Sequence, residues 1–174
     1  MNLKMRKLLE INEGILRFMG RIAGKNVLDS GNGWAQGFTV NTDNKQFPVS
    51  SKSQVLVVDD DITIRGLLSA TLVARGYEVC VAPRGEDVRA FYQVIQPQVV
   101  LLDWLLPDGD GLQLLPEIKH QWPTAEVIMM TGYGGEEIAR RAAQLGAFRF
   151  LKKPFSLDDL VAAVQSACQH QARA

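Results

Sequence analysis

A chain of 174 residues with 47% hydrophobic and 22% charged residues can bury a core without metal or disulfide staples. Its 19 Lys/Arg balance 19 Asp/Glu, and a net charge of zero argues against bulk electrostatic capture of nucleic acid. Cys80 and Cys168 stand outside any CxxC or Cys/His cluster and read as small buried hydrophobes in a reducing, cytoplasmic setting, and no apolar run reaches the ~18 residues of a membrane span.

The charge is nevertheless uneven, +4 through residue 52 and −4 beyond it, which separates a basic leader from an acidic domain. Within residues 1–25, Leu8, Ile11, Ile15, Phe18 and Ile22 recur three or four apart and predict an amphipathic helix over 3–23, interrupted by Gly14 and Gly20. Glu10, Glu13 and Arg17 break the apolar stretch that a signal peptide needs. The heptad-spaced stripe suits a two-helix coiled coil and hence a homodimer. It also suits docking on the rest of the chain or on a partner. With Lys4, Arg6, Lys7, Arg17 and Arg21 it suits a membrane surface as well, and these readings stay open beside that of a leader with no stable structure of its own. Residues 26–53, with Ser30-Gly31-Asn32-Gly33 and Pro48-Val49-Ser50, read as a polar linker that has room for a short strand at Phe38-Thr39-Val40.

From residue 54 the pattern becomes regular. Strands are predicted at Gln54–Val58, Tyr77–Ala82, Val99–Leu102, Glu126–Met130 and Phe148–Leu151. Between and after them, helical spacing covers Ile62–Arg75, Glu86–Ile95, Leu112–Gln121, Glu136–Leu145 and Leu157–Gln169. Continuous apolar strands alternating with amphipathic helices imply an α/β fold, a five-stranded parallel sheet covered on both faces by five helices. With right-handed crossovers the doubly wound order 2-1-3-4-5 fits, and it puts a ligand site at the carboxyl ends of strands 1 and 3.

The residues predicted at that edge carry the chemistry. Strand 1 ends in Asp59-Asp60-Asp61, strand 3 in Asp103, strand 4 in Thr131-Gly132, and strand 5 runs into Lys152-Lys153-Pro154. Crowded carboxylates repel one another, and a hard divalent cation such as Mg²⁺, with oxygen ligands, relieves that repulsion. Carboxylates, a hydroxyl and an ammonium together suit phosphoryl transfer to an aspartate. Simpler roles are available too. Asp61 reads as a helix N-cap, Asp108 and Asp110 as solvated or capping loop acids, and Lys152 as a solvated charge. Phe150 also fits plain core, and Trp104 reads as a partly exposed loop aromatic.

Taken together, Val57-Val58-Asp59-Asp60-Asp61, Leu101-Leu102-Asp103-Trp104-Leu105-Leu106-Pro107-Asp108-Gly109-Asp110-Gly111, Thr131-Gly132 and Lys153-Pro154 resemble, in order and spacing, the receiver domains of two-component response regulators, over about residues 54–171. The resemblance implies a flavodoxin-like receiver fold of the chemotaxis single-domain kind. It makes Asp103 the phosphoacceptor. Asp60 becomes the direct Mg²⁺ ligand, Asp59 acts partly through water, and Asp103 and the Leu105 carbonyl complete the metal site. Thr131 and Lys153 receive the phosphoryl oxygens, and Thr131 and Phe150 form the switch. Leu105 and Tyr133 occupy the positions that tune phosphoryl lifetime, and their bulk implies slow autodephosphorylation. A histidine kinase or phosphotransfer protein upstream and a protein target downstream are the implied partners, with no direct nucleic-acid contact. The face of helix 4, strand 5 and helix 5, bearing Arg140, Arg141, Asp158 and Asp159, is a second candidate homodimer surface. Because the sequence ends at Ala174, soon after the last helix, no output domain is expected within it. A stand-alone switch is the leading expectation. The receiver of a longer transcriptional regulator and a phosphorylation-independent interaction module are the alternatives. A turnover enzyme is not expected, since Leu105 stands where an aspartyl-phosphate hydrolase carries its second acid.

Overall fold

The apolar runs form strands because each is flanked by sequence that can turn, and the three inner ones are almost wholly sequestered from solvent. In the computed structural model, residues 53–92, 95–132 and 136–172 are described, so the leader, nearly all of the linker and Tyr133 lie outside the described residues. Strands β1 (Gln54–Val58), β2 (Glu78–Ala82), β3 (Val99–Asp103), β4 (Glu126–Thr131) and β5 (Arg149–Lys152) make one parallel sheet in the order β2-β1-β3-β4-β5. Helices α1 (Ile62–Ala74), α2 (Gly85–Phe91), α3 (Gly111–Gln121), α4 (Glu136–Gln144) and α5 (Leu157–Gln171) supply the crossovers and the closing segment. α1 packs beside α5, and α3 beside α4. The expected fold class and strand order are therefore observed.

Burial follows position in the sheet. Every residue of the central β3 is buried, and Val57, Val58, Leu101, Leu102, Ile128 and Met129 are wholly excluded from solvent. At roughly 1.5–3 kcal/mol per fully buried aliphatic side chain, these inner strands dominate the gain on folding. Their register aligns Val58 with Leu102, and Leu102 with Met129. Cys80, on the outer strand β2, is half-buried as a residue, yet burial pushes its thiol up to about 12. Both cysteines are free.

The helix ends are set by identifiable residues. Asp61 caps α1, its carboxylate accepting from the backbone N–H of Thr63 at 2.7 Å and of Ile64 at 3.1 Å. α1 then closes in a Schellman motif: Gly76, at φ +90°, donates to the Val73 carbonyl and Tyr77 to that of Leu72. Gly146, at φ +91°, repeats the motif after α4. A Ser156–Asp159 capping box starts α5.

Apart from α2 closing at Phe91, before the predicted end at Ile95, three local features differ from the sequence reading. β3, β4 and β5 each run one residue further toward the carboxyl edge than predicted, because Asp103, Thr131 and Lys152 continue their ladders. Residues 105–110 form a small antiparallel ladder, Leu105–Leu106 against Gly109–Asp110, beyond β3. The third feature is how α2 starts. Its N-cap residue, Arg84, makes no side-chain cap. Instead Asp108, 23 residues downstream, accepts from the Gly85 N–H at 2.9 Å and the Glu86 N–H at 2.8 Å. Partial burial works against ionisation of Asp108, but these backbone donors outweigh it and hold the carboxyl below its ordinary value.

Asp108→Ala should therefore cost about 1 kcal/mol in urea unfolding at pH 6. A carboxyl depressed in the folded state contributes above its unfolded value of about 3.9 and loses that contribution as pH falls through the folded value. The gap between wild type and variant should close in strong acid, and a gap unchanged at low pH would remove Asp108 as the cap.

Candidate functional site

Parallel strands deliver their carboxyl ends to one edge, and the register fixes which residues meet there. Asp103 is the last residue of β3 and pairs with Met130, one residue before Thr131. Thr131 pairs with Lys152, one residue before Lys153. The Trp104 N–H donates to the Met130 carbonyl at 2.9 Å, and the Lys153 N–H donates to the Thr131 carbonyl at 2.6 Å. These bonds extend the ladders past the strands and hold Asp103, Thr131 and Lys153 at adjacent positions. The Lys153–Pro154 peptide bond is cis.

Asp59 follows β1 and is tied to β2, its N–H donating to the Ala82 carbonyl at 3.2 Å. Its side chain is wholly buried, and both carboxylate oxygens are engaged. Oδ1 accepts from the Asp61 N–H at 2.9 Å, and Oδ2 accepts from Lys153 Nζ at 2.6 Å. Lys153 Nζ also donates to Asp103 Oδ2 at 2.8 Å, so one ammonium bridges the two carboxylates. Asp60, next in the chain, is exposed. Asp59, Asp60 and Asp103 each offer an oxygen, and these oxygens lie within 4.8 Å of one another. Such an oxygen-only donor set, part buried and part open, fits a hard divalent cation.

Opposing effects act on the buried groups. Burial raises the Asp59 carboxyl above its ordinary value; Lys153 counters this, while the nearby Asp103 charge adds to it. Burial disfavours the Lys153 ammonium, yet its hydrogen bonds and charge interactions with Asp103 and Asp59 win and raise it. Asp61 moves the other way, lowered by the α1 backbone N–H groups of Ile64 and Thr63.

The loop after Asp103 is shaped by Gly111, whose N–H donates to the Trp104 carbonyl at 2.6 Å. A Cβ at that position would collide with the Asp103 carbonyl oxygen, so only glycine fits. Asp110 caps α3 through the Leu112 N–H at 2.7 Å, and Asp108 caps α2, so neither loop acid joins the carboxylate cluster. Leu105 is 51% exposed at the rim. Thr131 is buried at the edge, and Phe150 is half-buried on the outer strand β5, paired with Met129. Lys152 is exposed and Trp104 half-buried.

One residue that the motifs did not single out belongs to this edge. Arg65, on the first turns of α1, donates from Nη1 to the Asp59 carbonyl at 2.6 Å. Its place four residues after the capping Asp61 turns it back toward the acidic loop, but nothing in the sequence sets it apart from any other charged residue on an amphipathic helix.

Comparison with known proteins agrees with this geometry. The family described as response regulator receiver domain matches residues 55–165. The DNA-binding transcriptional regulator NtrC of Proteus hauseri is 40% identical over 119 residues, covering 68% of this chain and 25% of that protein. The regulatory protein AtoC of Escherichia coli K12 is 37% identical over 119 residues, covering 68% and 26%. The match thus spans about a quarter of the length of these two curated relatives. Among solved structures, a CheY-like response regulator receiver domain protein from Methanospirillum hungatei superposes with a TM-score of 0.68 at 29% identity, covering 71% of this chain and 98% of that one. NtrX from Brucella abortus, in complex with ADP, gives 0.66 at 36% identity, covering 70% and 28%. With the family match spanning most of the chain and the sheet order and acidic edge agreeing with it, this protein belongs to the response regulator receiver domain family.

Proposed function

We propose that residues 54–171 are a receiver that takes a phosphoryl group on Asp103 from a histidine kinase or phosphotransfer protein, with Mg²⁺, and so switches a protein-interaction surface. The observation that carries this reading is the Lys153 ammonium bridging Asp59 and Asp103 beside the exposed Asp60.

An Asp103 carboxylate oxygen forms the new bond to phosphorus while the bond from phosphorus to the donor nitrogen breaks. The electron pair leaves with the imidazole of the donor. Mg²⁺, held by Asp60, Asp103, the Leu105 carbonyl and, through water, Asp59, would supply charge compensation for the transferring oxygens. Both Asp59 oxygens are already engaged, which favours Asp60 over Asp59 as the direct ligand. Lys153 is within 2.8 Å of Asp103 and is positioned to pair with a phosphoryl oxygen. The Thr131 hydroxyl accompanies that oxygen, and Phe150 turns with it. Lifetime tuning rests on Leu105 and Tyr133, neither of which carries a carboxamide or carboxylate to orient a water. The protein then acts as a slowly self-resetting switch in the cytoplasm and not as a turnover enzyme.

A second reading is favoured by the relatives, which are several times longer and include regulators named as DNA-binding. On that reading this receiver controls an output region in a longer protein. A homodimer is open to it through the leader, residues 1–25, or through the α4–β5–α5 face. On that face Arg140 already pairs with Glu137 at 2.6 Å, Asp159 with Ser156, and the highly exposed Asp158 with Arg75 at 3.8 Å, which leaves Arg141 for cross-pairing.

Intact mass after incubation with acetyl phosphate and Mg²⁺ should rise by one phosphoryl group in wild type and not in Asp103→Asn, and chelation should abolish the gain. An unchanged wild-type mass in a folded sample would move the interaction-module reading to first place. Lys153→Met, without Mg²⁺ at pH 7, should lose on the order of 3 kcal/mol, because two facing carboxylates lose their shared cation. A raised lysine contributes fully below its unfolded value of about 10.4 and stops contributing as pH rises through the folded value, so the difference in urea midpoints should narrow in strong base.

A further inference from the structure

We propose that Arg65 is a positioning residue for the acidic loop: its guanidinium fixes the Asp59–Asp60 peptide from behind, so that the Asp60 carboxylate starts in the direction of Asp103. The inference rests on the Mg²⁺-dependent reading above and extends it to a residue outside the motifs.

Asp59 is held at three points. Its N–H donates to Ala82 of β2, its side chain is bound by Lys153 and by the Asp61 N–H, and its carbonyl accepts from Arg65 Nη1 at 2.6 Å. The first ties the Asp59 N–H to β2 and the second holds its side chain. Only the third acts on the peptide unit that leads into Asp60. That unit is planar, so a fixed carbonyl also fixes the N–H of Asp60 and narrows the directions open to its Cα–Cβ bond. Asp60 is exposed, and its aim therefore depends on its backbone. Arg65 is itself anchored, because its own N–H donates to the Asp61 carbonyl at 2.9 Å in the first turn of α1. Burial of its half-buried guanidinium lowers it below the ordinary arginine value, while the charges of Asp59, Asp60, Asp61 and the buried Asp87 of α2 act the other way and favour the charged form.

Two effects of Arg65 on a bound cation oppose each other. Its positive charge repels a divalent ion, so removing the charge alone would tighten binding. Its hold on the carbonyl orients a ligand, so removing that hold would weaken binding. Supporting groups behind metal ligands typically contribute 10–100-fold to affinity, which exceeds the repulsion expected of a cation facing four carboxylates and partial solvent. Orientation wins, and the sign of the change separates the two.

The test is calorimetric titration of the full chain with Mg²⁺, alongside the ¹³C resonance of the Asp59 carbonyl and the ¹⁵N–¹H resonance of Asp60. Arg65→Gln should bind Mg²⁺ on the order of 10-fold more weakly and shift both resonances. Arg65→Lys keeps the charge and the helix propensity, but its nitrogen falls one bond short of Arg Nη. It should also bind more weakly and shift the Asp59 carbonyl, and it keeps the test available if the Gln variant does not fold. Tighter binding by Arg65→Gln, or an Arg65→Lys variant equal to wild type in both affinity and carbonyl shift, overturns the inference while leaving the receiver reading intact. A folded wild type that takes up no Mg²⁺ overturns the reading on which it rests.

Discussion

The site depends on one cation shared between two acids. Asp59 sits at the end of the buried sheet with no solvent exposure of its side chain, a position where an unpaired carboxylate would shift toward its neutral form or destabilise the fold. Lys153 meets it at 2.6 Å and reaches Asp103 at 2.8 Å with the same nitrogen. The lysine is held by the sheet, since its N–H continues the β4–β5 ladder to the Thr131 carbonyl. Backbone register and side-chain electrostatics therefore act on the same few residues, and a slip of one residue in β5 would carry Lys153 to the other face and break both ion pairs.

This dependence explains how much was legible in sequence. The runs VLVV, VVLL and EVIMM signal strands buried on both faces, and parallel strands present their ends on one edge whatever the details of packing. Asp59, Asp60, Asp103, Thr131 and Lys153 could thus be grouped without a structure, and Asp61 could be read as a cap from its place before a helix. Three things left no such mark. Asp108 reaches back 23 residues to start α2, and an acid in a loop looks the same whether it caps a distant helix or faces water. The short ladder of Leu105–Leu106 with Gly109–Asp110 is too brief to show alternation. Arg65 looks like any charged residue on an amphipathic helix, because a side-chain bond to a backbone carbonyl has no sequence period. The one-residue extensions of β3, β4 and β5 arise from tertiary ladder bonds that likewise lie outside local pattern.

The four acids of the edge are not equivalent, and their differences come from burial, from Lys153 and from backbone donors. Asp61 turns its carboxylate onto the first turn of α1 and leaves the cluster, held ionised by two N–H groups. Asp59 is saturated by one N–H and one ammonium. Asp60 is exposed and keeps its coordinating capacity. Asp103 shares Lys153 through one oxygen, Oδ2. A phosphoryl group on Asp103 would convert its carboxylate into an acyl phosphate and offer Lys153 new oxygens close to the present contact. The ammonium would then face a stronger partner beside Asp103 while still bound to Asp59. Thr131 is joined to Lys153 through the backbone, so any movement of the lysine toward the phosphoryl group is felt at the end of β4 and in β5, where Phe150 lies two residues before Lys152. The route from site to surface thus needs no element beyond β4 and β5, and the bonds that hold the resting site together are the ones a new charge at Asp103 would rearrange.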